Sequence, residues 1–401
     1  MRTPEGVDIP AYPFPRPIGE LISPPDASGY PVVSRVLLPT GQTAWLVTGY
    51  EAVRQLLRSP AFSSCVFAPG FPRFHGRVAL PTSPTGFMVG MDPPGHTHLR
   101  RILIPGFTIK TMRQFEPSIR EIMVGALDAM RAAGQPADLI NEFALPAPSM
   151  VISRLLGVPY EDHDFFQSRS RVIVDRSFSP EQRGDASQAV HDYLADLVAR
   201  KQSEGESHDL IGRLAIDRVA AGELTTEEVV GVALMLFMGG HETTANMIGL
   251  STLVLLRYPE LRERLRQRPA LVDNLVEELL RYVTILRTGV PRLATADVEI
   301  GGQLIRAGEG AIAMTSAANR DLAVYSDPDQ FDVDREPHPH LAFGFGVHQC
   351  IAQPLARIEI RVALTELIQR FPALALAEEV CDADAWDDAV VYGLRRMMVR
   401  W

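Results

Sequence analysis

Phe343-Gly344-Phe345-Gly346-Val347-His348-Gln349-Cys350 delivers one cysteine from a glycine-loosened loop onto a stretch with helical periodicity. Over residues 351–371 the apolar side chains of Leu355, Ile358, Val362, Leu364, Leu367, Ile368 and Phe371 recur mostly every three or four positions, which predicts one amphipathic helix. Pro354 suits its first turn, where a missing N–H costs nothing. A cysteine at a helix start lies near unpaired N–H groups and the positive end of the helix dipole, and both favour thiolate, a metal ligand. Gly344 and Gly346 let the loop turn tightly and bring its amides towards the sulfur or a flat ligand beside it. The alternative is a buried free cysteine, the commonest fate of a lone Cys.

A second constellation sits in a long apolar run. Thr225-Thr226-Glu227-Glu228 fits a capping box, the run continues to Arg257, and Pro259 stops it. Its middle reads Gly239-Gly240-His241-Glu242-Thr243-Thr244-Ala245-Asn246, which leaves two apolar halves too short to cross a bilayer and predicts a buried central helix. An acid and an alcohol there need a reason, because unpaired buried polar groups are costly. Gly239 and Gly240 weaken the helix and clear space beside it. The competing reading is Thr243 bonded back to the preceding turn and Glu242 turned to solvent. His96 and Arg100, four apart on a helix opened by Asp92 as cap, share a face; their types can serve carboxylates, but taken alone they read as an ordinary basic helix surface. Glu278 and Arg281 form an i,i+3 pair that means little alone.

The elements positioning these groups are mostly helical. Residues 114–133, 151–156, 162–174 and 186–201 carry the mixed apolar and charged pattern of surface-packed helices. Pro10, Pro13, Pro15 and Pro17 predict an extended lead-in. Residues 32–38 and 43–48 flank Pro39-Thr40-Gly41 as a hairpin, followed by a helix over 50–57. Residues 59–90 form a long loop with Phe62, Phe67, Phe71, Phe74 and Phe87. Short β runs follow at 298–300, 304–305 and 311–315, and 387–401 predicts a terminal β pair. Gly308-Glu309-Gly310-Ala311-Ile312-Ala313 superficially matches a dinucleotide motif, but β-like residues follow it, so that reading fails.

The 401 residues contain no long linker, and 46% hydrophobic with 22% charged residues suits one large soluble domain, 1–401. A net charge of −10 argues against nucleic acid as a partner. Cys65, Cys350 and Cys381 form no CxxC pair, which disfavours a disulfide framework and fits a reducing cytoplasm. The first residues carry no apolar run of the kind a signal peptide or membrane anchor needs.

Phe-x-x-Gly-x-His-x-Cys, ending at Cys350, resembles the cysteine-ligand loop of the cytochrome P-450 haem-thiolate monooxygenases, especially the bacterial, actinomycete-type members. The resemblance spans nearly the whole chain, with four separated motifs in family order. It departs at Ala352, where the family usually has glycine, and that one methyl implies altered tuning with haem retained. The resemblance implies a mainly α fold with small β-sheets, a triangular-prism helical domain whose long central helix lies over the haem. It implies haem b with Cys350 as metal ligand, and His96, Arg100, Arg292 and His348 on the propionates beside Phe343, Gly344, Ala352 and Gly239. It further implies that Thr243 steadies oxygen while Glu242 relays protons, and that Glu278, Arg281 and Arg335 brace the cysteine loop. Phe87, Thr288, Val290 and Val391 fall where family members touch substrate, with Met235 and Met238, as well as Met88 and Met91, in an apolar lining. The loop 59–90 would roof the pocket and residues 165–180 would form a lid.

O2-dependent hydroxylation or epoxidation of a bulky apolar molecule, such as a macrolide or other polyketide, is the implied reaction. No flavin, nicotinamide or iron–sulfur motif is present, so electrons must come from an external ferredoxin and its reductase. Arg100, Arg101, Lys110, Arg113, Arg357 and Arg361 are expected to form the basic docking patch of a cytoplasmic monomer. Two alternatives stand beside this: a zinc or other non-haem site built from His338, His340, His348 and Cys350, and a haem sensor or peroxide-driven haem enzyme.

Overall fold

The apolar run between the capping box and the proline folds as one uninterrupted helix, Thr226–Arg257. Thr225 Oγ1 accepts from the Glu228 N–H at 3.1 Å and Glu228 returns an acceptor to the Thr225 N–H at 2.8 Å, so two otherwise orphaned donors are satisfied at its start. The computed structural model describes residues 9–74, 85–174, 178–206, 209–283, 285–336, 338–386 and 391–401.

Among the described residues the helices are α1 (Tyr50–Arg58), α2 (Gly95–Leu103), α3 (Ile109–Ala133), α4 (Pro146–Leu156), α5 (His163–Val174) and α6 (Pro180–Glu204). They continue with α7 (Leu210–Arg213), α8 (Thr226–Arg257), α9 (Pro259–Gln267), α10 (Val272–Tyr282), α11 (Thr315–Ala318) and α12 (Gln353–Arg370). The central α8 packs on α4, α6 and α12, and its buried side chains reach from Val229 to Leu255. A helix apolar almost all round is stable only when wrapped by others. Among the described residues, no helix is long and apolar enough to cross a membrane.

The strands are β1 (Val33–Leu37), β2 (Thr43–Val47), β3 (Phe62–Ser63), β4 (Ala137–Asp138), β5 (Val290–Ala294), β6 (Val298–Ile300), β7 (Gln303–Ile305), β8 (Gly310–Ala313), β9 (Ala375–Leu376) and β10 (Met398–Arg400). The hairpin β1–β2 pairs Val33 with Val47, and β2 then runs parallel to β8 in a five-stranded sheet of order β1-β2-β8-β5-β3. Its apolar face packs on α1 and α11, with Val53, Leu56, Ala311 and Ala313 fully buried. The sheet thereby fixes β5, which carries Val290 and Arg292.

Three expectations need correction. The helix after the cysteine starts at Gln353, not 351, with a turn over Ile351 and Ala352. Asp92 does not cap α2; its carboxylate accepts from Ser63 Oγ and the Ser64 N–H and so ties the entry of α2 to β3. The end of the chain is no self-contained pair, because β10 bonds to β4 and β9 and Val391 bridges to Leu286; residues 387–390 lie outside the described residues. Apart from these, Phe62, Phe71 and Phe74 are buried against the core and Phe67 is exposed, core pinning being one of the two readings open for each.

Candidate functional site

Between α8, the cysteine loop and β5 lies a cavity of about 340 Å³, within the range of a small-molecule pocket. Its wall includes Cys350, Phe343, Gly344 and Ala352 from the loop, Met235, Gly239, Gly240, Thr243 and Thr244 from α8, and His96 and Arg100 from α2. Arg292 and Val290 from β5 complete it, with His348.

The loop that presents the sulfur is held by its own backbone. The Cys350 N–H donates to the Phe343 carbonyl at 2.9 Å, and Gly344 and Gly346 have φ of +70° and +76°. A Cβ at Gly346 would lie 2.6 Å from the Leu57 carbonyl oxygen, so both conformation and space require glycine there. Cys350 faces the cavity and not bulk water. That burial pushes its thiol up, against the pull of the Ala352 and Gln353 amides and the Arg100 and Arg357 guanidinium groups. In the chain alone, burial outweighs the helix start that favours thiolate; a metal cation would reverse the balance.

His96, Arg100, Arg292 and His348 form a cradle of four potential cations. Neither ring nitrogen of His96, 1% exposed, has a hydrogen-bond partner. The rings of His96 and His348 lie 4.0 Å apart. Burial lowers the Arg292 guanidinium to about 10, and burial with the charge of Arg292 and the neighbouring His96 holds His348 down to about 3. Among the described residues none of the four is ion-paired with a carboxylate. Arg292 Nη1 donates to the Pro291 carbonyl at 2.8 Å and both ring nitrogens of His96 lack partners; with no carboxylate balancing the set, two ligand carboxylates would satisfy it. The residues present therefore fit an iron porphyrin with two propionates.

On α8, Thr243 Oγ1 donates to the Gly239 carbonyl at 2.7 Å, and both residues line the cavity. The back-bonding set out as an alternative is thus compatible with a hydroxyl at the pocket. Glu242 is half-buried and does not line the cavity. Glu278 holds Arg281 through two bonds of 2.7 and 2.8 Å, and Arg335 reaches Glu278 Oε1 at 3.3 Å; all three also bind backbone of residues 319–332.

Of the substrate residues expected, Met235 and Val290 line the cavity, whereas Phe87, Met238, Thr288 and Val391 do not. Phe87 and Met238 pack against the core, Thr288 is buried, and the phenol of Tyr392, beside Val391, donates to the Leu21 carbonyl. Met88, Val89, Ile152 and Met247 stand at the wall, while Met91 packs away from it. The zinc alternative fails on geometry. His338 stacks edge-on with Tyr50 and Tyr325, His340 bonds Glu277, and His348 faces His96; no group of three possible ligands exists among the described residues.

Two residues at or near the site went unread in the sequence. Glu359 of α12, 2% exposed, lines the cavity with Oε2 unpartnered, and burial keeps its carboxyl well above the usual carboxylate range. Its place four residues after Leu355 and three before Val362 was the available signal. His241, between Gly240 and Glu242, is buried beside the Leu145 carbonyl, and burial lowers its imidazole to about 4.

The family profile Cytochrome P-450 matches residues 33–393. The chain is 44% identical over 407 residues to the vitamin D3 dihydroxylase of Streptomyces griseolus, covering 100% of this chain and 98% of that one. It is 38% identical over 372 residues to the 20-oxo-5-O-mycaminosyltylactone 23-monooxygenase of Streptomyces fradiae, covering 92% of this chain and 86% of that one. The solved structure of the mycinamicin VIII methyl hydroxylase MycCI of Micromonospora griseorubida, bound to mycinamicin VIII, superposes with TM-score 0.89 at 36% identity, covering 98% of this chain and 100% of that one.

Proposed function

This chain belongs to the cytochrome P-450 family and is a monooxygenase, and from that premise we propose that it inserts one atom of O2 into a bulky, apolar secondary metabolite, a macrolide or other polyketide. The observation that supports this reading is the cavity, where one sulfur, the Thr243 hydroxyl and the side chains of His96, Arg100, Arg292 and His348, unpaired with any carboxylate among the described residues, meet. Haem b, which the Cys350 sulfur would hold, would supply the activation of O2.

Every other task falls to the chain. His96, Arg100, Arg292 and His348 would bind the two propionates. The Thr243 hydroxyl, anchored on the Gly239 carbonyl, keeps its lone pairs free to hold a water where protons are needed. Glu242, beside it and off the cavity, would pass protons from the solvent side. The methionines Met88, Met235 and Met247 give an adaptable apolar wall, and the two relatives named for macrolides support that substrate class.

Electrons would come from an external ferredoxin and its reductase in the cytoplasm. The docking patch is smaller than the six cations expected. Arg357 and Arg361 are committed to Glu277 and Glu116, and Arg100 lines the cavity. Arg101, Lys110 and Arg113 remain exposed beside the exposed Ile104 and Ile109. The test is a spin-state titration of the purified protein with a panel of macrolides and sterols, followed by turnover with ferredoxin, reductase and NAD(P)H. A macrolide that shifts the spin state and leaves as a product one oxygen heavier supports the reading. Responses confined to sterols would overturn the substrate class.

A further inference from the structure

Beside the triad of Glu278, Arg281 and Arg335 stands a separate cluster on the sulfur side. Glu277 of α10 takes Arg357 of α12 in a two-pronged pair, Nε to Oε1 at 2.6 Å and Nη2 to Oε2 at 3.0 Å. The same carboxylate meets His340 Nε2 at 3.2 Å. His340, with a side chain 4% exposed, accepts the Ala342 N–H on Nδ1 at 3.3 Å, so its proton sits on Nε2 and both nitrogens are used. Arg357 lies 4.7 Å over the Phe343 ring and donates to Gln353 Oε1 at 3.0 Å, at the first residue of α12. Phe343 in turn holds the Cys350 N–H on its carbonyl. A continuous set of contacts thus runs from α10 through His340 and Arg357 to both flanks of the cysteine loop.

We propose that Glu277, Arg357 and His340 are positioning residues for the Cys350 sulfur, and that the balance of charge between Glu277 and Arg357 sets how readily the bound centre accepts an electron. The proposal rests on the haem-thiolate reading above. Arg357 carries its charge against a ring that lines the cavity, and Glu277 neutralises it from the outer side. Neutralising Glu277 leaves a net positive charge near the centre and favours the reduced form. Neutralising Arg357 leaves a net negative charge and favours the oxidised form. A merely structural brace, once broken, would shift both variants the same way.

The experiment is a redox titration, at low ionic strength, of purified haem-loaded protein with Glu277→Gln and Arg357→Gln variants, alongside the rate of haem transfer to apomyoglobin. At a fixed potential, the ratio of reduced to oxidised haem should rise roughly two- to fivefold in Glu277→Gln and fall by a similar factor in Arg357→Gln, the range expected of a half-exposed pair. His340→Leu should speed haem transfer with little change in that ratio. Shifts of one sign in both charge variants, or none, in proteins that keep the sulfur-ligated spectrum, would overturn the proposal. Should Arg357→Gln lose sulfur ligation, the sign of the Glu277→Gln shift decides alone. A wild-type protein that takes up no haem would overturn the functional reading first, and the redox role with it.

Discussion

Cys350 and Glu359 both face the same void, yet only the first announced itself in the sequence. A cysteine after a glycine-punctuated loop is a local pattern, whereas a glutamate among apolar helix positions becomes exceptional only once α12 is known to be buried on that face. Glu359 holds its proton in the folded chain to higher pH than an unfolded glutamate, which ionises near about 4.3. Between those values the native chain binds more protons than the unfolded one, so this residue makes stability fall as pH rises. Glu359→Gln removes the effect; its gain in urea-unfolding stability should be small near about pH 4 and grow towards about pH 7. Thr243 is the second test at this scale. Thr243→Ala should lower product formed per NAD(P)H roughly tenfold, the worth of about one hydrogen bond at the reacting oxygen, while NAD(P)H and O2 consumption continue. Unchanged coupling would remove the hydroxyl from the mechanism.

At the scale of elements, α8 was legible from end to end because a capping box, an apolar run and a proline are all local signals. The loop ahead of α2 was not. Its aromatics divide between core and surface according to where β3 and β5 lie, which no local window contains. The crossing of that loop over α8 shows the same dependence. Gly86, with φ of +78°, lies against Gly231, where a Cβ would sit 2.1 Å from the Thr85 carbonyl oxygen. Backbone meets backbone there, so Gly231→Ala should cost about 1–3 kcal/mol and push the Met88–Gly90 turn from the cavity. The expected readout is a weakened spin-state response to substrate with an unaltered spectrum of the CO complex. The same response to substrate as wild type would mean that this turn does not shape the pocket.

For the whole molecule, the family and the mainly helical architecture could be read from four motifs in order, while the sheet could not. β2 pairs in parallel with β8 across some two-thirds of the chain, and such pairings follow from the closing of the core, not from neighbouring residues. Surface electrostatics belong to this scale too. An acidic chain that carries exposed Arg101, Lys110 and Arg113 on one face would steer an acidic partner to it, and that attraction is screened by salt. Arg113→Glu should slow ferredoxin-dependent turnover about three- to tenfold at low ionic strength, with the difference shrinking as salt is added. Arg361→Glu should instead lower stability, because it sets two acids, Glu116 and the new residue, against each other. Turnover and salt response unchanged in Arg113→Glu would place the docking face elsewhere.

The spectrum of the reduced, CO-treated protein tests the central claim most directly. The wild-type chain should bind haem and give the strongly red-shifted Soret band of a thiolate-ligated ferrous centre, and Cys350→Ser should lose that band with its turnover. A Cys350→Ser protein that kept both the band and the activity would contradict the account.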